Sequence, residues 1–184
     1  ADADVYLNNE KIGTLEEGIG SFGPVAFQAN SKVVLKKEYS FGTVEEEQDF
    51  EEYDQRYYIN FDTLSENDAE YFLNSMYSYA GSLTSSDSTY TQSSLEEMMV
   101  NGKENDVYKT FVNKGKKIRE DEDTSRVYYE VELESVNQTE QNKFEVEYTL
   151  VAETAYSYSA DKENQTDRLP FKAVLVIEEV DGYT

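Results

Sequence analysis

Between Ser65 and Ile177 three helix signals are followed by three long strands, and no helical pattern returns. Helices gathered ahead of an antiparallel sheet bury their apolar stripes by packing on one face of it. The order alone therefore predicts an α+β fold. Ser65-Glu66-Asn67-Asp68 reads as a capping box, and Ala69, Phe72, Leu73, Met76, Ala80 and Leu83 follow at three- and four-residue spacing on one helical face. The Ser/Thr-rich run Thr84–Ser94 is expected to break the helix, with Ser94–Glu97 starting a short second one that Gly102 ends. Asn105 caps a third helix bearing Val107, Tyr108, Phe111 and Val112, which Gly115 is expected to close.

Alternation then takes over. Val127, Tyr129, Val131 and Leu133 share one strand face, opposite Tyr128, Glu130, Glu132 and Glu134. Phe144, Val146, Tyr148 and Leu150 repeat the pattern beyond a polar turn placed at Asn137–Asn142. Phe171, Ala173, Leu175 and Ile177 form a third strand. Val174 and Val176 on its other face predict that it is the most buried of the three.

Residues 1–62 read as a separate small β domain and 63–184 as a second domain. Val5–Leu7 and Lys11–Gly13 flank Asn8-Asn9, a pair suited to a tight hairpin because Asn tolerates positive φ. Further strands are predicted over Lys32–Phe41 and Gln55–Phe61. The acidic stretch from Glu45 to Glu52 between them reads as a solvated loop or edge.

Composition narrows function mainly by exclusion. A formal charge of −23 leaves no basic surface to displace phosphate counterions, so nucleic acid is not an expected partner. The same charge disfavours unaided docking on anionic lipid. Zero Cys removes disulfides and thiolate metal sites, and zero His removes the commonest acid–base group. No run of 18 apolar residues exists. Ala1-Asp2-Ala3-Asp4 is no signal peptide, and the chain is expected to be a part cut from something longer, with any membrane attachment lying in a segment it does not contain.

Three helices feeding a long antiparallel sheet resemble the NTF2-like cone, in which the helices pack on a bent sheet. The run Val5-Tyr6-Leu7-Asn8-Asn9-Glu10-Lys11-Ile12-Gly13, followed by Phe22-Gly23-Pro24-Val25, resembles the β domains of TcaA-type proteins, the Gram-positive teicoplanin-resistance-associated membrane proteins. The resemblance implies a small β domain followed by an NTF2-like domain on the extracellular face of the cell membrane. It implies a role tied to the cell wall or glycopeptide response, and partners among wall components or other envelope proteins. It supplies no catalytic residues, no metal and no cofactor.

Four features invite a sharper reading. Gly18, Gly20 and Gly23 match G-x-G-x-x-G, but Thr14-Leu15-Glu16-Glu17 precedes them and Pro24 stands where a helix should open, so this reads as a glycine-rich loop. Lys114, Lys116, Lys117 and Arg119 are the one basic cluster, either an anion site or cations complementing the negative end of the third helix. Glu130, Glu132, Glu134, Glu145 and Glu147 share a face, and no calcium loop accompanies them. Tyr156 and Tyr158 on one side of a strand offer rings for stacking on a ligand, as does the Tyr57-Tyr58 pair. The leading expectation is a non-catalytic binding or regulatory module whose ligand contacts are Lys114, Lys116, Lys117, Arg119, Tyr156 and Tyr158. The alternatives are an isomerase- or dehydratase-type enzyme working inside the cone and a passive spacer. Asn137-Gln138-Thr139 and Asn164-Gln165-Thr166 match the glycosylation sequon and are read as surface turns.

Overall fold

A computed structural model describes residues 2–16, 18–23, 31–49 and 63–177. The chain divides into two compact units, Ala1–Thr63 with Thr139–Gln141, and Leu64–Gln138 with Asn142–Thr184.

The first unit holds a four-stranded antiparallel sheet of β1 (Ala3–Leu7), β2 (Glu10–Leu15), β3 (Lys32–Tyr39) and β4 (Gly42–Asp49), in the order β2-β1-β3-β4. Asn8 and Asn9 take φ of 50° and 68°, the left-handed pair that a two-residue hairpin with the strands' own twist requires. Asn8 also reaches across the sheet. Its Nδ2 donates to Ser31 Oγ at 2.9 Å, and its Oδ1 accepts from the Lys32 amide at 3.0 Å. Val5, Leu7, Val33 and Leu35 form the core, with Ile12, Leu15 and Phe22 packed against them. The acidic stretch is an edge strand through Asp49, where Glu45 and Glu47 pair with Lys36 and Lys32 of β3. The predicted strand at Gln55–Phe61 and the Tyr57-Tyr58 pair lie outside the described residues.

The glycine-rich loop is structural. Glu16 and Ile19 exchange backbone hydrogen bonds at 3.1 and 3.0 Å around Gly18, whose φ is +82°. A Cβ at Gly13 or Gly20 would stand 2.3 or 2.5 Å from the Phe22 ring, so these glycines make room for an aromatic side chain. No helix opens through Gly23 to receive a pyrophosphate.

The second unit contains α1 (Glu66–Ser82), α2 (Thr89–Glu97), α3 (Asp106–Arg119), and a three-stranded antiparallel sheet of β5 (Thr124–Glu140), β6 (Lys143–Tyr156) and β7 (Gln165–Val176) in sequence order. Ser65 caps α1 as its sequence predicts, accepting from the Asp68 amide at 3.1 Å. Ala69, Leu73, Met76 and Tyr77 of α1, Leu95 of α2 and Tyr108 of α3 meet Val131, Val146, Tyr148 and Leu150 in one core. The predicted inner faces of β5 and β6 are correct. Val127 and Val131 are buried while Tyr128, Glu130, Glu132 and Glu134 are exposed.

Four local expectations are corrected. The second helix begins inside the Ser/Thr run, capped by Ser88 through the Thr91 amide at 3.3 Å, and Ser94 lies within it. Burial of Thr91 and Leu95 outweighs the weak helix propensity of its hydroxyl residues. Gly115 does not close α3, which runs on to Arg119. A Cβ there would stand 2.7 Å from the Leu83 carbonyl oxygen, so this glycine lets α3 approach the end of α1. The turn between β5 and β6 shrinks to Gln141-Asn142, which puts Asn137 within a strand. Finally, β7 is the least buried strand of its sheet, an edge that carries Pro170. The Ile177 amide bonds the Asn142 carbonyl at 2.9 Å, so by the two-residue repeat the Pro170 nitrogen faces away from β6, where it costs no ladder bond.

Candidate functional site

The four cations occupy the last turns of α3 and do different things. Arg119 donates to the Leu83 carbonyl and stands 3.4 Å from Asp87. It therefore serves the negative end of α1, whose last turn holds no base of its own. Lys116 faces Glu120 at 3.8 Å. The Lys114 ammonium lies 5.4 Å from the Tyr129 ring centroid. Lys117 is exposed, with no ion pair among the described residues. Four acids follow directly, Glu120 to Asp123. The Asp121 carboxyl is held below its ordinary value by the Asp123 amide and then the Thr124 hydroxyl, so it stays ionised beside the cluster.

Tyr156 ends β6, where its hydroxyl reaches Gln165 at 3.4 Å and Lys162 sits 5.2 Å from its ring centroid. Tyr158 lies beyond the strand, in a single 3-10 turn, fully exposed. The two tyrosines do not share a strand face as their spacing predicts. The Ser157 amide bonds the Asp123 carbonyl at 2.7 Å, and Lys162 bonds the Asp123 carboxylate at 2.6 Å. These bonds bring the tyrosine segment to the loop after α3, at the same end of the unit as the cations. No hydrogen bond or ion pair among the described residues joins the two sets.

The outer face of the sheet is acidic but partly neutralised. Arg168 and Lys172 of β7 pair with Glu132 and Glu147, and Thr149 donates to Glu134 at 2.7 Å. No group of three acidic side chains among the described residues is placed to hold a metal ion. A cleft of about 540 Å³ opens beside this face, with Tyr128, Glu130, Glu153 and Asn164 among its lining.

Under the helices the interior is aromatic. The Tyr77 and Tyr148 hydroxyls hydrogen-bond each other at 2.8 Å, with Phe111 and Tyr129 5.5 and 5.6 Å from the Tyr77 ring and Phe171 stacked on Tyr148 at 5.9 Å. Burial raises both phenols above their ordinary value, so the pair is neutral and works as a hydrogen-bonded brace. No Asp or Glu is buried among the described residues.

A second depression lies between α1 and α2, about 440 Å³, lined by Tyr71, Ser75 and Tyr79 from one helix and by Tyr90, Ser94 and Met98 from the other and its cap. Each set recurs at about every fourth residue, one helical ridge apiece. The signal was in the sequence. It is hidden when α1 is read only for its core stripe and Tyr90 is assigned to a helix-breaking run.

Among the described residues no helix is long and apolar enough to cross a membrane. No curated protein and no solved structure matches the chain. Residues 1–62, the segment containing the Asn-Asn hairpin and the acidic edge strand, match the family model described as the TcaA protein 3rd/4th domain, and this match supports a TcaA-type protein.

Proposed function

We propose that the chain is a non-catalytic extracellular module of a membrane-anchored cell-envelope protein, in which the TcaA-type β domain is followed by an NTF2-like domain that serves binding or regulation. The family is one of membrane-associated envelope proteins, and the match over residues 1–62 is the observation that carries the reading. A role in the cell-wall or glycopeptide-antibiotic response follows from the same likeness. Order and packing of the second unit support the NTF2-like part, with three helices over one face of an antiparallel sheet.

The non-catalytic part rests on the interior. A proton-abstracting enzyme of this architecture needs a carboxylate held in an apolar pocket. The described interior is filled instead by tyrosine and phenylalanine rings whose two central hydroxyls engage each other.

Protease added to intact cells tests the placement, and co-sedimentation with purified wall sacculi tests the binding. The expected result is digestion of the chain without lysis, together with saturable retention on wall material. Digestion only after lysis overturns the extracellular reading. Accessibility without retention favours a passive spacer, which the filled interior also suits.

A further inference from the structure

The groove between α1 and α2 has a chemistry distinct from its surroundings. Tyr71 and Tyr90 are 77% and 74% exposed, while Phe72, Tyr79 and Met98 supply a partly buried floor. The single ionisable carboxylate in the lining is Glu97, and no basic side chain lines the groove. Glu97 is the last residue of α2, a helix whose final turn contains no base, so its charge adds to the negative end of the helix dipole. Its neighbour Glu96 is answered by Lys103 at 3.4 Å. Glu97 has no ion pair among the described residues.

Ring faces carry negative electrostatic potential, and a cation placed over them is attracted most where a carboxylate and a helix C-terminus add to that field. At longer range the −23 charge of the chain draws cations and repels anions. We propose that this groove binds a cationic peptide, its basic side chains lying over the exposed rings of Tyr71 and Tyr90 and pairing with Glu97. A peptide fits better than a free amine because the aromatic residues line an open furrow between two helices, and its neighbouring residues would contact Ser75, Ser94 and Met98. The proposal stands on the groove alone and holds whether or not the chain faces the cell exterior.

The probe is a tetra-arginine peptide, titrated calorimetrically into the full chain at 0.15 M salt, with a Gly-Ser peptide of equal length as the neutral control. One-site saturable binding is expected. Tyr71→Ala and Tyr90→Ala should each weaken it about threefold and the pair about tenfold, from the strength of exposed cation–π contacts. Tyr71→Phe and Tyr90→Phe keep the ring faces and should stay within about twofold. Glu97→Gln should weaken binding about fivefold, whereas Glu163→Gln, which removes one charge outside the groove, should change it less than twofold. Both tyrosines are exposed, so melting temperatures should hold and report any variant that fails to fold. Equal losses for Glu97→Gln and Glu163→Gln, undiminished binding in the double alanine variant, or no saturable binding would each overturn the proposal.

Discussion

The two edges of the helix-packed sheet are opposites. On β5 the outward amides meet side chains from α1 and the residues that follow it. The Val127 amide donates to Thr84 Oγ1 at 2.9 Å, and the Val131 amide donates to Asn74 Oδ1 at 3.0 Å. Thr84 in turn donates to the Gly81 carbonyl at 2.6 Å, and a Cβ on Gly81 would stand 3.0 Å from the Val127 carbonyl oxygen. The helix thus supplies both the hydrogen-bond partners and the close approach that a covered edge needs. The β7 edge lacks a comparable cover among the described residues and limits pairing in another way. Pro170 deletes one outward donor, and Arg168 and Lys172 place charge along the strand. One edge is satisfied by packing and the other is blunted by composition.

Charge substitution tests that contrast most strongly. Val131→Asp should cost about 4 kcal/mol or more, because a carboxylate at a site only 2% exposed has no counter-ion. Leu169→Asp on the inner face of β7, 48% exposed, should cost about 1 kcal/mol or less in the same urea titration. Comparable losses would mean that β7 is as covered as β5.

The next effect isolates one hydrogen bond of the covered edge. Thr84→Val keeps the volume but strands the Val127 amide, with an expected loss of about 2 kcal/mol; Thr84→Ser should recover more than half of it. Thermal melts in which the serine variant is less stable than the valine variant would assign the role of Thr84 to its methyl group.

Arg119 holds the end of α1 beside that edge. Arg119→Ala should lower stability by about 1.5 kcal/mol, since the Leu83 carbonyl loses a charged donor, while Lys117→Ala should stay within about 0.5 kcal/mol. If Lys117→Ala matches Arg119→Ala, the cluster acts through general charge and the Leu83 contact is incidental.

The smallest effect is one of pH. Tyr77 of α1 and Tyr148 of β6 have folded-state values raised above 10.0, chiefly by burial. Their contribution is fully present below pH 10. Above it the unfolded chain ionises while the folded pair does not, so stability falls as pH rises. Tyr77→Phe should flatten the decline in melting temperature between pH 9 and 11, and an unchanged slope would assign the decline to other groups.

Where local chemistry decides structure, the sequence was legible. Asn8-Asn9 makes its hairpin because the side chain tolerates left-handed backbone, and Ser65 and Asn105 cap their helices because their oxygens reach amides of the first turn. Alternation placed Val131 and Val146 inside for the same reason. The candidate cations were visible as a cluster. Their division of labour was not, because Arg119 acts on a carbonyl 36 residues away.

By itself, then, the sequence determined the α+β class, the order of helices and strands, the inner faces of β5 and β6, and the TcaA-type character of residues 1–62, all of which rest on spacing and short motifs. Only the tertiary structure decided that β7 is an edge, that Gly115 sits against α1, that Thr84 and Asn74 close the β5 edge, and that Tyr71 and Tyr90 line one groove between two helices. Each of these depends on which element comes to lie beside which. Hydrophobic period records that a residue is covered, but it carries no information about what covers it.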